Sequence, residues 1–260
     1  MIKIVFIDID GTLTNPKTNI VPQSTKDAIK KARTKGIKVF VATGRNTSEL
    51  EFITSIKGMD FDGYIGLNGQ ICSIDDNKQL YKSGLNRTDA RKIISFIQDN
   101  NLSCMVFEKN RMYMNNIDNR IKQVYKKIDF SPYSKDTLES INYDELIMLS
   151  VYIDKKEQHI LAKHLKHSDV VSWHELGCDI IPKGSGKHTG IELVLKHYNL
   201  NKNEVMAIGD GENDISMLKF AAIGVAMSHS NAKVKAAADV TAPPIEDDGI
   251  YKIFEQYGII

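Results

Sequence analysis

The chain alternates short apolar runs with segments of helical pattern, and this alternation restricts the fold more than any other feature. Residues 2–7 form a β-branched and aromatic run, and residues 37–42 form a second run. Between them, residues 22–35 are predicted to form a helix that ends at Gly36. Continuous apolar runs are typical of strands buried on both faces of a parallel sheet. The pattern therefore predicts an α/β fold with a parallel sheet.

The same alternation continues to about residue 67 and returns in the last third of the chain. The further elements predicted there are helices over residues 46–56, 188–198 and 213–221, and strands over residues 63–67, 204–208 and 223–226. We expect these segments to belong to one Rossmann-like core that covers residues 1–82 and 185–260.

The middle of the chain has a different pattern. A hairpin is predicted over residues 70–82, around the turn-forming residues Asp75, Asp76 and Asn77. Helices over 87–99, 117–127 and 155–166 then mix with strands over 103–107, 111–114, 146–153, 170–173 and 178–181. Residues 83–184 are therefore predicted to form a separate α+β domain inserted into the core.

Composition excludes several classes of protein. The 34 basic and 33 acidic residues nearly balance, so bulk charge would not hold the chain to nucleic acid or an anionic membrane. The three cysteines form no CxxC pair, which argues against a disulfide framework or a zinc site. No apolar run approaches the roughly 20 residues that span a bilayer. We expect a soluble, cytoplasmic protein with no nucleic-acid or membrane partner, and the sequence leaves its oligomeric state open.

Two acids follow the first predicted strand, in the segment Asp8-Ile-Asp10-Gly-Thr. Ligands of open parallel sheets bind at the carboxyl ends of the strands. Residues two apart on a strand point the same way, so both carboxylates are expected to face one crevice. A turn or helix-cap role would suit Asp10 alone better than both acids together. Two carboxylates this close require a cation or a raised pKa.

A second acidic cluster, Gly-Asp210-Gly-Glu-Asn213-Asp214, follows the predicted strand over 204–208. Carboxylate oxygens from two strand ends suit Mg²⁺, which takes few protein ligands. Asn213 and Asp214 could instead cap the following helix, and Glu212 is expected to be solvated.

Two further segments could hold phosphate. Thr43, Gly44 and Arg45 follow the second strand, where a hydroxyl and exposed amides can bind phosphate oxygens, although Thr-Gly is also common in turns. Lys187 precedes a predicted helix and is either a surface lysine or a fixed cation beside the carboxylates. Its surroundings lack the first glycine of a P-loop, and His188 stands where that motif has Ser or Thr, so a P-loop is rejected.

Together these motifs resemble the haloacid dehalogenase superfamily of phosphohydrolases, and in particular the Cof-type group with a large α/β cap. The resemblance covers nearly the whole chain. It rests on Asp8-Ile-Asp10-Gly-Thr, Thr43 in Ala-Thr-Gly-Arg, Lys187, and Gly-Asp210-Gly-Glu-Asn-Asp214, in that order. His188 departs from the family, which usually has glycine after the lysine.

The resemblance implies a Mg²⁺-dependent phosphatase with an aspartyl-phosphate intermediate. Asp8 would be the nucleophile and Asp10 the general acid and base. Mg²⁺ would be bound by the Asp8 carboxylate, the Asp10 backbone carbonyl and Asp210, with Asp214 positioning water there. The phosphoryl group would be held by Thr43, Gly44, Lys187 and Asn213, with Arg45 as a further candidate.

The inserted domain would then be a cap that selects the leaving group. Trp173, His174 and Glu175 lie near the tip between its last strands and are candidate substrate contacts, although a lone Trp is more often a core residue. The expected substrate is a small phosphorylated metabolite such as a sugar phosphate. Two alternatives remain open: a phosphotransferase or phosphomutase with the same intermediate, and a non-catalytic sugar-phosphate sensor.

Overall fold

The computed structural model describes residues 1–18, 20–46, 56, 58–74, 78–81, 84–124 and 134–260. The chain divides into two compact units, one formed by Met1–Lys82 with Gly186–Ile260 and the other by Ser83–Ser185.

The strands and helices of the described residues follow in chain order. The strands are β1 (Ile4–Ile7), β2 (Lys38–Ala42), β3 (Gly63–Gly66), β4 (Ile71–Ile74), β5 (Lys78–Tyr81), β6 (Cys104–Glu108), β7 (Met112–Met114), β8 (Leu146–Val151), β9 (Ser168–His174), β10 (Gly177–Pro182), β11 (Val205–Gly209), β12 (Ile223–Ala226) and β13 (Val240–Thr241). The helices are α1 (Gln23–Thr34), α2 (Arg87–Asp99), α3 (Asn119–Val124), α4 (Lys155–His164), α5 (Lys187–Tyr198), α6 (Ile215–Phe220), α7 (Ala232–Lys235) and α8 (Gly249–Gln256).

The first unit is built on a sheet with the strand order β13-β12-β11-β1-β2-β3-β4-β5. The strands from β13 to β3 are parallel, and β4 and β5 extend the sheet as an antiparallel pair. The predicted α/β class with a parallel-sheet core is therefore confirmed.

Strand β1 is central in this sheet and is buried on both faces. Val5 and Ile7 pack in one apolar layer, with residues of α1 and α8. Ile4 and Phe6 pack in the layer on the opposite face, with residues of α5 and α6. All four side chains have no exposed surface. Burying one such side chain stabilises a fold by about 1.5–3 kcal/mol, which fixes the end of β1 firmly in place.

The second unit contains an antiparallel sheet with the order β7-β6-β8-β10-β9. Helices α2 and α4 contribute Ile93, Ile97 and Leu161 to the same apolar cluster as Val106 and Leu149 of the sheet. Both helices begin at a side-chain cap. The Asn86 side chain accepts from two backbone N–H groups of α2, and Asp154 forms a capping box with Glu157 at the start of α4.

Most predicted elements are present, with ends that shift by a few residues. The helix predicted over 46–56 falls almost wholly outside the described residues, as do the hairpin turn at 75–77 and the end of the helix predicted over 117–127. The helix predicted over 213–221 is instead a short 3₁₀ turn, Glu212–Asp214, followed by α6. The elements α7, β13 and α8 were not predicted.

Within the described part of the chain, no helix combines the length and the apolar character needed to span a bilayer.

Candidate active site

The parallel order of β11, β1 and β2 brings three predicted site segments to one edge of the sheet. Ile7 of β1 is in register with Ile208 of β11 and with Val41 of β2. The residues that follow these strands, including Asp8, Asp210 and Thr43, therefore begin at the same carboxyl-terminal edge. This is the edge where ligands of open α/β sheets bind.

Asp8 and Asp10 lie beyond the end of β1, so the strand geometry used to predict that both carboxylates face one crevice does not apply to them, and that shared direction stays a prediction. The chain leaves the strand after Ile7 and folds into a turn in which the Leu13 amide donates to the Asp8 carbonyl at 3.1 Å. Gly11 adopts a left-handed φ of 93° in this turn. As a result Asp8 is buried, whereas 54% of the Asp10 side chain is exposed. The two acids therefore sit in different environments.

Lys187 is fully buried and bridges two of the acids. Its Nζ donates to Asp8 Oδ1 at 2.5 Å and to Asp214 Oδ1 at 2.6 Å. The residue is the first of α5, where the helix dipole disfavours a cation, so the two carboxylates must hold it there. Burial alone would lower the pKa of Lys187, but Asp214 and Asp8 outweigh burial and raise it. The lysine is therefore a fixed cation.

The same environment also favours the protonated form of the acids. Burial raises the pKa of Asp8 well above its ordinary value, and the neighbouring carboxylates add to this effect, while Lys187 opposes it. Burial also raises the pKa of Asp214. One buried ammonium does not balance the carboxylates gathered around it. Without a further cation, the cluster favours keeping a proton.

Asp214 anchors the loop that carries Asp210. Its Oδ2 accepts hydrogen bonds from the backbone N–H groups of Asp210 at 3.0 Å and Gly211 at 2.9 Å. Asp214 is the N-cap residue of α6 but its side chain makes no hydrogen bond to that helix; the bond to the Gly211 amide instead caps the 3₁₀ turn Glu212–Asp214. A side chain at Gly209 would overlap the Asp214 carboxylate. The fold of this loop thus depends on Asp214 itself.

The Asp210 carboxylate is held by groups other than Lys187. Thr12 Oγ1 donates to Asp210 Oδ1 at 2.8 Å, and His229 Nε2 lies 3.3 Å from Oδ2. A Cβ at Gly11 would overlap this carboxylate. The close approach is a second reason for glycine at this position, in addition to the positive φ. The hydrogen bond to Asp210 raises the pKa of His229.

These acids have the chemistry of a metal site. Carboxylate oxygens of Asp8, Asp210 and Asp214 all lie within 4.8 Å of one another. Hard oxygen donors and an excess of negative charge suit a divalent cation such as Mg²⁺. The residues therefore fit the cofactor that the sequence predicted, with the carboxylate of Asp10 outside the cluster.

Asp10 is paired with Arg45. The guanidinium donates from Nε to Oδ2 and from Nη2 to Oδ1, each at 2.8 Å. Arg45 was predicted as a substrate contact because it follows Thr43. The structure places its guanidinium on the proposed acid and base, and a role toward substrate stays a prediction.

The other predicted phosphate ligands lie on turns next to this edge. Thr43 is buried, and its Oγ1 accepts from the Arg45 amide at 3.1 Å. Gly44 lies between these two residues and is partly exposed. The Asn213 side chain is directed to Asn68, with Nδ2 3.4 Å from Oδ1.

The three candidates of the second unit lie at the β9–β10 hairpin, as the sequence indicated. Trp173 donates from Nε1 to Asp179 Oδ1 at 3.0 Å and packs edge-on against Tyr152. His174 Nδ1 accepts from the Leu176 amide at 3.0 Å, and Glu175 is exposed in the turn. These contacts give Trp173 and His174 a structural role within the hairpin.

Sequence reasoning missed the two residues that hold Asp210. Thr12 lies within the first motif, where a hydroxyl next to two acids could have been considered. His229 has no local signal, because only the pairing of β12 with β11 brings its loop beside Asp210.

Comparison with known proteins identifies the family of the chain. Residues 5–254 match the haloacid dehalogenase-like hydrolase family. The chain belongs to this family.

Similar solved structures indicate which group within this family the chain resembles. The sugar phosphatase BT4131, described as HAD subclass IIB, superposes with a TM-score of 0.87 at 32% identity, over 99% of this chain and 100% of that chain. The phosphatase BT1666 from Bacteroides thetaiotaomicron superposes with a TM-score of 0.89 at 32% identity, over 100% and 96% of the two chains. The resemblance to Cof-type phosphatases is therefore confirmed.

A curated relative supports the same class. The 5-amino-6-(5-phospho-D-ribitylamino)uracil phosphatase YitU of Bacillus subtilis is 25% identical over 273 residues, which cover 98% of this chain and 97% of the relative. The chain is accordingly an enzyme, a phosphoric monoester hydrolase.

Proposed function

We propose that the chain hydrolyses small phosphomonoesters in a Mg²⁺-dependent reaction, with Asp8 as the nucleophile. The observation that carries this proposal is the buried Lys187, which contacts Asp8 and Asp214 while Asp210 lies beside them. A carboxylate placed next to a fixed cation and at a candidate metal site is suited to attack a phosphoryl group.

In the first step, an Asp8 carboxylate oxygen attacks phosphorus and the bond from phosphorus to the ester oxygen breaks. Asp10 donates a proton to the leaving alkoxide. The product is an aspartyl phosphate on Asp8. Lys187, already within hydrogen-bond distance of Asp8, offers positive charge to the phosphoryl oxygens.

In the second step, Asp10 accepts a proton from water as that water attacks phosphorus. The bond from phosphorus to Asp8 breaks, which releases inorganic phosphate and restores the carboxylate. The exposure of Asp10 supports this role, because the group must reach both a leaving oxygen and water.

Mg²⁺ would be held by Asp8, Asp210, Asp214 and the Asp10 backbone carbonyl, and would neutralise charge on the phosphoryl group. Thr43 is proposed to hold a phosphoryl oxygen. Its hydroxyl already accepts from the Arg45 amide, and no acceptor for its own hydrogen lies among the described residues. Gly44, Asn213 and Arg45 are proposed as further phosphate or substrate contacts.

We propose a sugar phosphate or a similar metabolite as substrate, since BT4131 is a sugar phosphatase and YitU acts on a phosphorylated ribityl compound. Residues 83–184 are proposed to act as the cap that selects the leaving group, with Trp173, His174 and Glu175 as candidates. The nearly balanced charge and the free thiols of Cys72, Cys104 and Cys178 support a cytoplasmic enzyme without a nucleic-acid partner.

The test is phosphate release from a panel of phosphomonoesters, with wild type and Asp8→Asn, in Mg²⁺ and in EDTA. Release that requires both Asp8 and Mg²⁺ is expected. Rapid acid quenching followed by mass spectrometry should detect a phosphoryl group on Asp8 in the wild type only.

The same panel separates the alternatives. A phosphotransferase would form phosphorylated acceptor without equal release of phosphate. A sensor would bind the esters without turnover. Either result in a folded, Mg²⁺-loaded wild type would contradict the hydrolase.

A further inference from the structure

The three clustered carboxylates are not held in the same way. Lys187 forms hydrogen-bonded ion pairs with Asp8 and Asp214 but none with Asp210. Asp210 is instead approached on its two oxygens by a hydroxyl and an imidazole: Thr12 Oγ1 lies 2.8 Å from Oδ1 and His229 Nε2 lies 3.3 Å from Oδ2. The orientation of this proposed metal ligand therefore depends on a hydroxyl and an imidazole and not on Lys187.

We propose that His229 is a positioning residue for Asp210 and fixes the carboxylate orientation in which Asp210 binds the divalent cation. This inference rests on the proposed Mg²⁺-dependent function. A carboxylate oxygen can only accept in such a pair, so Nε2 of the imidazole carries the hydrogen. Outer groups of this kind commonly orient metal ligands, and their loss weakens metal affinity.

The fold fixes the imidazole in this place. Gly209 of β11 is in register with Ala226 of β12, and the Met227 amide donates to the Gly209 carbonyl at 3.0 Å. The loop after β12 therefore runs beside the loop that carries Asp210. The Ser230 amide donates to the Met227 carbonyl at 3.0 Å, which closes a turn with His229 inside it.

His229 acts through Asp210 and is not itself assigned as a ligand. The described group of side chains that could hold a metal together consists of Asp8, Asp210 and Asp214, and His229 lies outside it. Thr12, Gly11 and His229 surround one carboxylate on different sides, so rotation of the Asp210 side chain is restricted even before a cation binds.

The test measures Mg²⁺ affinity of the metal-free protein by isothermal titration calorimetry, so that its readout does not depend on turnover. His229→Ala removes the donor, and His229→Gln keeps an N–H donor at a similar distance from the backbone. Thr12→Val removes the hydrogen bond to Asp210 Oδ1 and measures how far Mg²⁺ affinity depends on that contact. His159→Ala, on an exposed position of α4, is the matched control.

We expect His229→Ala to weaken Mg²⁺ binding by about tenfold. His229→Gln should stay within about threefold of wild type, and His159→Ala should equal it. Because the lost contact orients a ligand, kcat of His229→Ala at saturating Mg²⁺ should recover to within about twofold of wild type, while the Mg²⁺ concentration for half-maximal rate rises. Circular dichroism establishes that each variant is folded.

Unchanged or tighter Mg²⁺ binding in folded His229→Ala would overturn the inference. The imidazole would then have no effect on the orientation of Asp210, or would compete with the cation for it. An equal loss in His229→Gln would overturn it too, since a retained donor should restore orientation. These outcomes leave Asp8-dependent and Mg²⁺-dependent phosphate release by the wild type intact. Failure of that wild-type reaction would instead contradict the proposed function.

Discussion

Arg45 and Asp10 form a two-point ion pair in which the guanidinium meets both carboxylate oxygens at 2.8 Å. Two parallel hydrogen bonds fix the plane of a carboxylate as well as its position. The pair links the turn after β1 to the turn after β2. The pair therefore sets the position of the Asp10 carboxylate, the proposed acid and base, before substrate binds.

Arg45→Lys is expected to lower kcat by about tenfold and Arg45→Ala by about a hundredfold, because general acid catalysis needs Asp10 in a defined position. A lysine supplies charge but not the planar fork. Mg²⁺ affinity should change by less than about twofold, since Arg45 pairs with the Asp10 carboxylate, which lies outside the cluster of Asp8, Asp210 and Asp214. Steady-state kinetics and calorimetry measure these effects.

Arg33→Lys is the matched control for that experiment. Arg33 makes a similar two-point contact, with Asp62 at 3.0 and 3.4 Å, before the start of β3. Equal losses of kcat in the Arg33 and Arg45 variants would show that the effect comes from stability and not from Asp10.

Asp10→Asn is expected to slow turnover by about a hundredfold or more, because the amide can neither give nor take the proton. Mg²⁺ binding should remain largely intact, since only the backbone carbonyl of Asp10 is a proposed ligand. Calorimetric loss of metal affinity in this variant would contradict the assigned roles.

Lys187→Met is expected to lower the free energy of unfolding by about 3–5 kcal/mol, because it leaves two buried carboxylates without their cation. Lys233→Met is the control, since Lys233 is exposed and pairs with Glu212 at the surface. Its loss should cost less than about 1 kcal/mol. Urea denaturation measures both values, and a similar small change in the two variants would show that Lys187 is not a structural cation.

Gly11→Ala is expected to impair both stability and Mg²⁺ binding, because the new methyl group would displace the Asp210 carboxylate. Gly36→Ala has a similar positive φ of 81° but no neighbouring atom within 4 Å. It should therefore lose only about 1 kcal/mol of stability, from backbone strain. If calorimetry gave both variants wild-type Mg²⁺ affinity, the close approach of Gly11 to Asp210 would have no functional role.

Proton uptake by the cluster gives a pH prediction for the metal-free protein. The pKa of Asp8 is raised in the folded state, so the stability from its proton is fully present below the ordinary value of 3.8 and is lost as pH rises through the raised value. The free energy of unfolding in EDTA should therefore fall over that range. Saturating Mg²⁺ should flatten the dependence, and so should Asp8→Asn.

Denaturation series in EDTA and in Mg²⁺ test this dependence. At a pH where the folded, metal-free protein keeps the proton of Asp8, Mg²⁺ binding should also release that proton, which appears as a calorimetric enthalpy that changes with the buffer. Identical pH dependence with and without metal, together with no buffer effect, would mean that the cluster is fully ionised without a cation.

Predictions from the sequence were most accurate where all the residues that define a feature lie in one segment. Helix α2 was predicted with its observed ends, because its apolar residues recur at helical spacing, and the structure adds the Asn86 cap at its start. Asp8 and Asp210 were found because each follows an apolar strand. Helix α8 was missed although Ile250, Ile253 and Phe254 have helical spacing, since it begins at Gly249 and the preceding Asp248 makes no side-chain cap.

The contacts between distant segments could not be predicted in this way. The Arg45–Asp10 pair and the His229–Asp210 contact depend on which strands are neighbours and on how each turn leaves its strand. In both pairs, the sequence around each residue contains no pattern from which its partner could be predicted. For Lys187, position alone left open a surface lysine or a fixed cation beside the carboxylates, and the two acids that it bridges could not be named from the sequence.

The central place of β1 has a consequence for how the chain matures on the ribosome. Ile4 pairs with Lys38 on one side but with Val205 on the other, so one edge of β1 has no strand to pair with until most of the polypeptide has emerged. An unpaired apolar edge invites association with other chains. The edge of β1 that pairs with β11 therefore stays unpaired in a nascent chain until β11 has emerged, and Asp8 and Asp210 can come together only after that point.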